Sequence, residues 1–279
     1  MSDDFEPHRR FLVGLAYRML GSIAEAEDVV QDAFLRWTNT DRAAVVHPRA
    51  FLARVVSRLC LDRMKSAAAR REQYVGTWLP EPLVASPSEP IADDLSVALM
   101  LTLERLSPLE RAAFLLHDVF DLDYAAIANT LGRSEAACRQ LAARAREHVR
   151  EERPRFEASD DTRAKLADAF HAAVIGGDLT AFARILADDA VFYTDGGGKR
   201  AAALNPIFGK DKILRFFSGI ASKHGPVTAE QVERVQINGL PGFVVHTADG
   251  IETLALEIAG DQIVAIYGVR NPDKLRHLA

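Results

Sequence analysis

The stretch LSPLERAAFLLHDVFDLDYAAIANTLGRSEAACRQLAARARE, residues 106–147, decides how this chain is read. Tyr124, Ile127, Ala128 and Leu131 recur at i, i+3, i+4 and i+7, a one-faced apolar stripe, and Gly132 follows where a left-handed cap stops a helix. Ser134 restarts one, because its hydroxyl can accept from an orphan N–H of the new first turn. Cys138, Leu141, Ala142, Ala145 and Val149 then face inward at helical spacing, which leaves Arg139, Gln140, Ala143 and Arg144 on the opposite face. Two helices around a Gly turn, the second with a basic outer face, form a helix-turn-helix whose second helix can lie in a major groove. A packed helical hairpin with a solvated basic face is the competing reading, so the rest of the chain must separate them.

The average charge misleads. The 279 residues carry 34 basic and 39 acidic side chains, a net −5. Yet Arg133–Arg146 holds four Arg against one Glu, and Arg49–Glu72 seven basic against two acidic residues. Non-specific affinity follows the number of phosphates neutralised, so an acidic chain with two local basic faces is expected to bind free DNA weakly and to work as a subunit placed by a partner. The length suggests two or three domains.

Cys60 and Cys138 fall at apolar helical positions and read as structural thiols of a reducing compartment. No stretch approaches the ~20 apolar residues that span a bilayer, and the start MSDDFEPHRR lacks the order of a signal peptide, so a cytoplasmic protein is expected.

Pro80, Pro82, Pro87 and Pro90 in WLPEPLVASPSEP forbid a continuous helix and mark a linker. Before it, three helices are expected. Pro7–Leu20 presents Phe11, Leu12, Leu15, Ala16 and Met19 on one face and ends at Gly21-Ser22. Ile23–Trp37 buries Val29, Val30, Ala33, Phe34 and Trp37 while Glu25, Asp28, Gln31, Asp32 and Arg36 point outward. A third begins at Pro48, suited to a first turn, and buries Phe51, Leu52, Val55, Val56 and Leu59. Its other face carries Arg54, Ser57, Arg58 and Lys65.

Three segments carry a resemblance: LAYRMLGSIAEAEDVVQDAFLRW, PRAFLARVVSRLCLDRMKS and the residues 106–147 quoted above. Together they resemble, in order, the two domains of extracytoplasmic-function sigma factors. The resemblance implies that the helix at Ile23–Trp37 docks on the clamp helices of the RNA polymerase β′ subunit through Asp28, Gln31, Asp32 and Arg36. It implies that the loop Asn39-Thr40-Asp41-Arg42 traps an unstacked base, which costs only a few kcal/mol. Asn39, Thr40, Arg49, Arg54, Arg58 and Lys65 would contact the downstream promoter element. Arg133, Ser134, Glu135, Arg139, Gln140 and Arg144 would contact the upstream one, and Leu106–His117 would meet the β flap.

Sigma factors of this group end near the break at Arg153–Asp161, but here about 120 residues follow. Thr162–Ile175 has helical spacing and closes at Gly176-Gly177, and Leu179–Leu186 reads as a second helix. Val191–Tyr193, Ala229–Ile237, Phe243–Thr247, Thr253–Ile258 and Ile263–Val269 read as strands. Helices before a curled antiparallel sheet make an α+β cone, and the order resembles the SnoaL-like branch of the nuclear transport factor 2-like fold. The expected architecture is therefore multidomain: sigma-2 at 1–72, a linker at 73–92, sigma-4 with its helix-turn-helix at 93–153, and a SnoaL-like cone at 160–279.

Three short motifs resemble signatures of sigma factors with a fused SnoaL-like domain. They are Trp78-Leu79-Pro80-Glu81-Pro82-Leu83 in the linker, Asp195-Gly196-Gly197-Gly198-Lys199 after the first strand of the cone, and Asn271-Pro272-Asp273-Lys274-Leu275 near the end. That resemblance implies control of the sigma domains in cis in place of a separate anti-sigma protein, with the chain end contacting the N-terminal domain. Thr77 departs from the proline expected there. Physically, three glycines permit φ > 0 and a close backbone approach, Lys199 offers a cation to an acidic surface, and Trp78 is large enough to anchor the linker. No phosphate-loop helix signature follows the glycines.

The cone also hosts enzymes. Tyr193 and Asp195 lie two apart on a strand, with His246 and Tyr267 as possible companions, and could serve as oxyanion donor and base. An Asp that opens a glycine turn commonly caps its own turn, so the expectation is no enzyme, no cofactor and no metal. An unknown small ligand in the cone remains open, since such folds enclose apolar cavities. The alternative to an initiation factor is a SnoaL-like isomerase or ligand-binding protein with a DNA-binding extension.

Overall fold

Ser22 sets the first corner of the chain: its hydroxyl accepts from the Glu25 amide and starts α2 (Ile23–Thr38), after Gly21 in the left-handed region ends α1 (Glu6–Leu20). α3 runs Pro48–Glu72. Leu12, Leu15, Met19, Val29, Val30, Ala33, Leu52, Val56 and Cys60 are all buried. The computed structural model describes residues 4–72, 74–85, 96–152, 158–224 and 228–278. Pro87 and Pro90, and much of the break at 153–161, lie outside the described residues.

Two units divide the chain: Met1–Gln73 with Leu99–Arg153, and Tyr74–Ala98 with Pro154–Ala279. The first unit continues through α4 (Val97–Arg105), which crosses the division, and α5 (Pro108–Phe114), opened by a capping box between Ser107 and Glu110. A π-helical turn at Leu115–Val119 follows, then α6 (Tyr124–Leu131) and α7 (Glu135–Glu152). Gly132 at φ +63 separates α6 from α7, as the sequence predicts, and the Ser134 hydroxyl accepts from the Ala137 amide. Cys138, Ala142 and Ala145 of α7, Ile127 of α6 and Leu116 are all fully buried.

The second unit is the α+β cone. Helices α8 (Asp160–Gly176), α9 (Leu179–Ile185) and α10 (Lys210–His224) accompany one seven-stranded sheet. Its strands are β1 (Val84–Ala85), β2 (Leu186–Asp195), β3 (Ile207–Phe208), β4 (Val232–Ile237), β5 (Leu240–Thr247), β6 (Gly250–Ala259) and β7 (Gln262–Val269), in the order β1-β4-β5-β6-β7-β2-β3. Asn238 and Gly239, at φ +52 and +76, make the tight turn between β4 and β5. Phe170, Phe182, Phe192 and Phe243 join Leu256, Ile258 and Ile266 in the core, with Phe216 and Phe217 packed against them.

Three expectations need correction. The sheet is not wholly antiparallel, since β2 and β7 run parallel, joined by α10 and the intervening hairpins. α10 adds a helix to the expected two of the cone, with Ile213, Phe216, Phe217 and Ile220 recurring at helical spacing. β4 begins only at Val232, because Thr228 and Gln231 form a capping box that winds Ala229–Gln231 into a 3₁₀ turn. The linker also does more than connect: its residues 84–85 pair antiparallel with Gln236 and Ile237 as the edge strand of the cone.

Candidate functional site

On α7 and just before it, the side chains of Arg133, Ser134, Glu135, Arg139, Gln140 and Arg144 are all exposed, as a groove-reading face requires. Arg139 pairs with Glu135 at 3.2 Å and lies over the Tyr124 ring, 5.5 Å from its centre, while Arg144 stands 3.9 Å from Glu110. Arg146, the last Arg of the basic stretch, is held by Asp118 of the π-turn at 2.6 Å and by the Tyr124 hydroxyl at 2.9 Å. These bonds fix the rotation of α7 against the preceding helix, so its outer face is presented in one orientation.

The other predicted residues lie on α2, α3 and the connection between them. Asp28 and Asp32 of α2 both pair with Arg63 of α3, at 3.7 and 3.0 Å, while Gln31 and Arg36 are exposed. Asn39 and Thr40 donate to the Leu35 and Arg36 carbonyls, so the proposed base-trapping side chains here cap the end of α2. Arg49 lies over the Phe11 ring at 4.3 Å, Arg54 over Phe51 at 5.1 Å, and Lys65 pairs with Asp62. Arg58 points elsewhere: its Nε donates to the Thr130 carbonyl at 3.0 Å and its Nη2 to the Asn129 carbonyl at 2.8 Å.

In the second unit the three short motifs, scattered over the sequence, converge on one carboxylate. Asp195 has no solvent exposure and accepts four bonds. The Tyr74 hydroxyl donates at 2.5 Å, the Leu79 amide at 2.8 Å, the Gly197 amide at 3.0 Å and the Lys274 ammonium at 2.8 Å. Lys274 also donates to the Leu79 carbonyl and lies over the Trp78 and Tyr74 rings, 4.2 and 5.0 Å from their centres. Trp78 thus anchors the linker through a cation–π contact, which is stronger where water is excluded. Burial, then the bond to Asp195, pushes the Tyr74 phenol above its ordinary range.

Around this clasp the flanking residues lock the same segments. The Asn271 amide donates to the Tyr74 oxygen, the Asp195 carbonyl accepts from the Arg270 and Asn271 amides, and Pro272 starts the 3₁₀ turn that carries Lys274 inward. His277 meets the Pro82 carbonyl at 2.8 Å, and Leu83 exchanges bonds with Asn238. Leu79 is fully buried, Pro80 and Pro82 are buried beside it, Glu81 is half-buried and Leu275 is 3% exposed. A Cβ at Gly197 would collide with Asn271, and one at Gly196 with the Arg200 carbonyl, which explains the glycines by close approach. Gly198, at φ +70, sits beside Val75. Lys199 meets Asp273 of its own chain, which draws the Asp273 carboxyl below its usual range, rather than an acidic partner.

Comparison with known proteins now decides between the readings. Residues 5–70 match Sigma-70 region 2 and residues 96–149 match Sigma-70, region 4. The ECF RNA polymerase sigma factor SigJ of Mycobacterium tuberculosis is 39% identical over 288 aligned positions, covering 97% of this chain and 92% of that protein. This chain belongs to the ECF RNA polymerase sigma factors. The crystal structure of SigJ superposes with a TM-score of 0.83 at 36% identity, over 99% of this chain and 98% of that one. A probable ECF RNA polymerase sigma factor of the same organism, SigI, is 39% identical over 193 positions, 67% of each protein.

In this sigma factor two helical domains precede a SnoaL-like cone, as the motifs imply. The constellation of an isomerase does not form. Asp195 is saturated by its four donors, His246 is exposed on β5, and Tyr193 and Tyr267 stack on each other at 5.4 Å. Tyr267 instead donates to Glu257, whose carboxyl is pushed up by burial. The Phe side chains of the cone gather in its core, and an open groove of about 910 Å³ lies beside the linker strand, lined by Val84, Ala85, Arg163, Arg234 and Leu278. Among the described residues no helix is long and apolar enough to cross a membrane, and no three His, Cys, Asp or Glu side chains could share a metal ion.

Proposed function

We propose that this sigma factor directs core RNA polymerase to promoters from the cytoplasm and that its own cone controls it by holding the linker between sigma-2 and sigma-4. Asp28, Gln31, Asp32 and Arg36 meet the β′ clamp helices, and Leu106–His117 meets the β flap. Asn39, Thr40, Arg49, Arg54, Arg58 and Lys65 serve the downstream element. The exposed face of α7, from Arg133 and Ser134 through Arg144, reads the upstream one. The functional boundaries follow as sigma-2 at 1–72, linker at 73–92, sigma-4 at 93–153 and the regulatory cone at 160–279. It acts as a subunit rather than as an enzyme and has no need of a separate anti-sigma factor.

The observation that carries the regulatory reading is the Asp195 clasp. A linker that must extend between two promoter-bound domains is here pinned by two bonds, from Tyr74 and Leu79, to one buried carboxylate, by Lys274 on the Leu79 carbonyl and by a β-strand at its end. Activity then follows the population of molecules with the linker released. Run-off transcription with core polymerase on promoter DNA selected by the protein tests this, comparing the full chain with one ending at Arg270. Transcripts from both at different levels are the expected result. Equal levels from both remove the cone from the control, and no polymerase-dependent transcript from either removes the initiation reading.

A further inference from the structure

Arg58 and Arg111 hold the two halves of the first unit by the same device in opposite directions. Arg58 of α3 donates through Nε and Nη2 to the Thr130 and Asn129 carbonyls, in the last turn of α6. Arg111 of α5, only 1% exposed, donates through Nη1 to the Met19 carbonyl in the last turn of α1 at 2.7 Å, with Glu104 at 2.6 Å as its counter-ion. The last carbonyls of a helix have no partner inside it and carry the negative end of its dipole. Each half therefore supplies a guanidinium to the carbonyls at a helix end of the other. Phe11 and Phe120 pack edge to face between them at 4.9 Å.

The two arginines differ in one respect. Arg111 is sealed in, whereas Arg58 remains exposed on the basic face of α3 that also carries Arg54 and Lys65. An Nε–Nη2 edge that donates to two oxygens side by side is the fork with which arginine takes a phosphate. We infer that Arg58 is a promoter-phosphate ligand whose site is filled, when sigma-2 and sigma-4 are closed on each other, by the carbonyl oxygens of Asn129 and Thr130. The same edge cannot serve both, so promoter contact at Arg58 and the α3–α6 contact exclude each other. DNA backbone is then itself an opening ligand, because it binds only the state in which α6 has left. This rests on the assignment of α3 to the downstream element.

The test uses the full chain with dyes coupled at Glu27→Cys and Glu147→Cys, both exposed, since Cys60 and Cys138 are buried. Energy transfer reports closure, and titration with a duplex of the selected promoter at several salt concentrations reports phosphate contacts. Promoter binding is expected to lower the transfer in the parent. Arg58→Ala is expected to raise the open fraction roughly tenfold before DNA is added and to reduce the salt slope of binding by about one. Arg111→Gln is expected to open the protein similarly with the parental slope. Arg58→Lys, which keeps the charge without the fork, opens it while retaining the slope. A parental slope in Arg58→Ala, or parental transfer in that variant without DNA, overturns the inference. Absence of promoter-selective binding in every variant, with or without core polymerase, overturns the promoter assignment and the inference together.

Discussion

Lys274 places its ammonium 2.8 Å from the carboxylate of Asp195, a side chain with no exposure to solvent, although the two residues stand 79 positions apart. Neither charge is left alone, since the Tyr74 hydroxyl and two backbone amides complete the carboxylate while the Leu79 carbonyl and two aromatic rings complete the ammonium. Removing one partner of such a pair strands the other, which costs about 3–5 kcal/mol, whereas replacing both by apolar groups costs far less.

The linker should therefore come free when one member is removed. Asp195→Ala or Lys274→Met alone is expected to raise the rate of chymotryptic cleavage at Trp78 by roughly a hundredfold or more. The pair Asp195→Ala with Lys274→Met should cost less than the sum of the two single changes. Additive effects would show that the ion pair is incidental to holding the linker.

Gly197 stands at φ +58 with Asn271 against the place of its missing Cβ. Gly197→Ala combines backbone strain with a collision and should lower stability by about 2 kcal/mol. Thermal unfolding of the full chain measures this, and Gly219→Ala, where a Cβ meets open space inside α10, provides the comparison that should not fall.

Glu257 gives a dependence on pH whose direction is fixed. Its carboxyl is raised by burial in the folded protein, so folding costs stability wherever the unfolded chain would ionise it, above the ordinary carboxylate range, and that cost disappears as pH falls below it. Glu257→Gln keeps an acceptor for the Tyr267 hydroxyl without the charge. It should be more stable than the parent at pH 7, with the difference closing as pH falls through the ordinary carboxylate range. A gap that persists in acid would assign the gain to packing instead.

Residues on one face of α7 should divide by what they lose. Arg139→Ala or Gln140→Ala should cost about 1–3 kcal/mol on the selected upstream element and much less on a scrambled one. Arg144→Ala should weaken both alike and lower the salt slope by about one. Fluorescence anisotropy of the sigma factor with core polymerase at several salt concentrations separates the two patterns.

What the sequence disclosed follows from where the determining interactions lie. Gly132, Ser134 and the stripe from Tyr124 to Leu131 act within a few residues of one another, so the helix-turn-helix is readable locally, and Ser22, Gly21 and Pro48 place the earlier helices in the same way. The three motifs were visible as motifs, but no local rule joins Tyr74 to Asn271 or Leu79 to Lys274 across 197 and 195 residues. The parallel pairing of β2 with β7 escaped for the same reason. Arg58 and Arg111 escaped differently: a basic residue on a helix face predicts a solvated or DNA-facing side chain, and nothing nearby announces that a distant helix will offer its carbonyls. α10 is the exception, a one-faced apolar pattern that was simply legible.

The clasp joins segments separated by 195 residues, and this gives each molecule a history on the ribosome. The linker leaves the exit tunnel first, and Lys274 follows 195 residues later. At about 5–20 residues per second the interval is on the order of 10–40 s. During that time both DNA-facing domains have been translated and the linker has nothing to hold it. Every newborn copy thus passes through an unrestrained form before restraint can be imposed. In a fast-growing cell the fraction of molecules still in that infancy is set by the rate of translation, not by any signal.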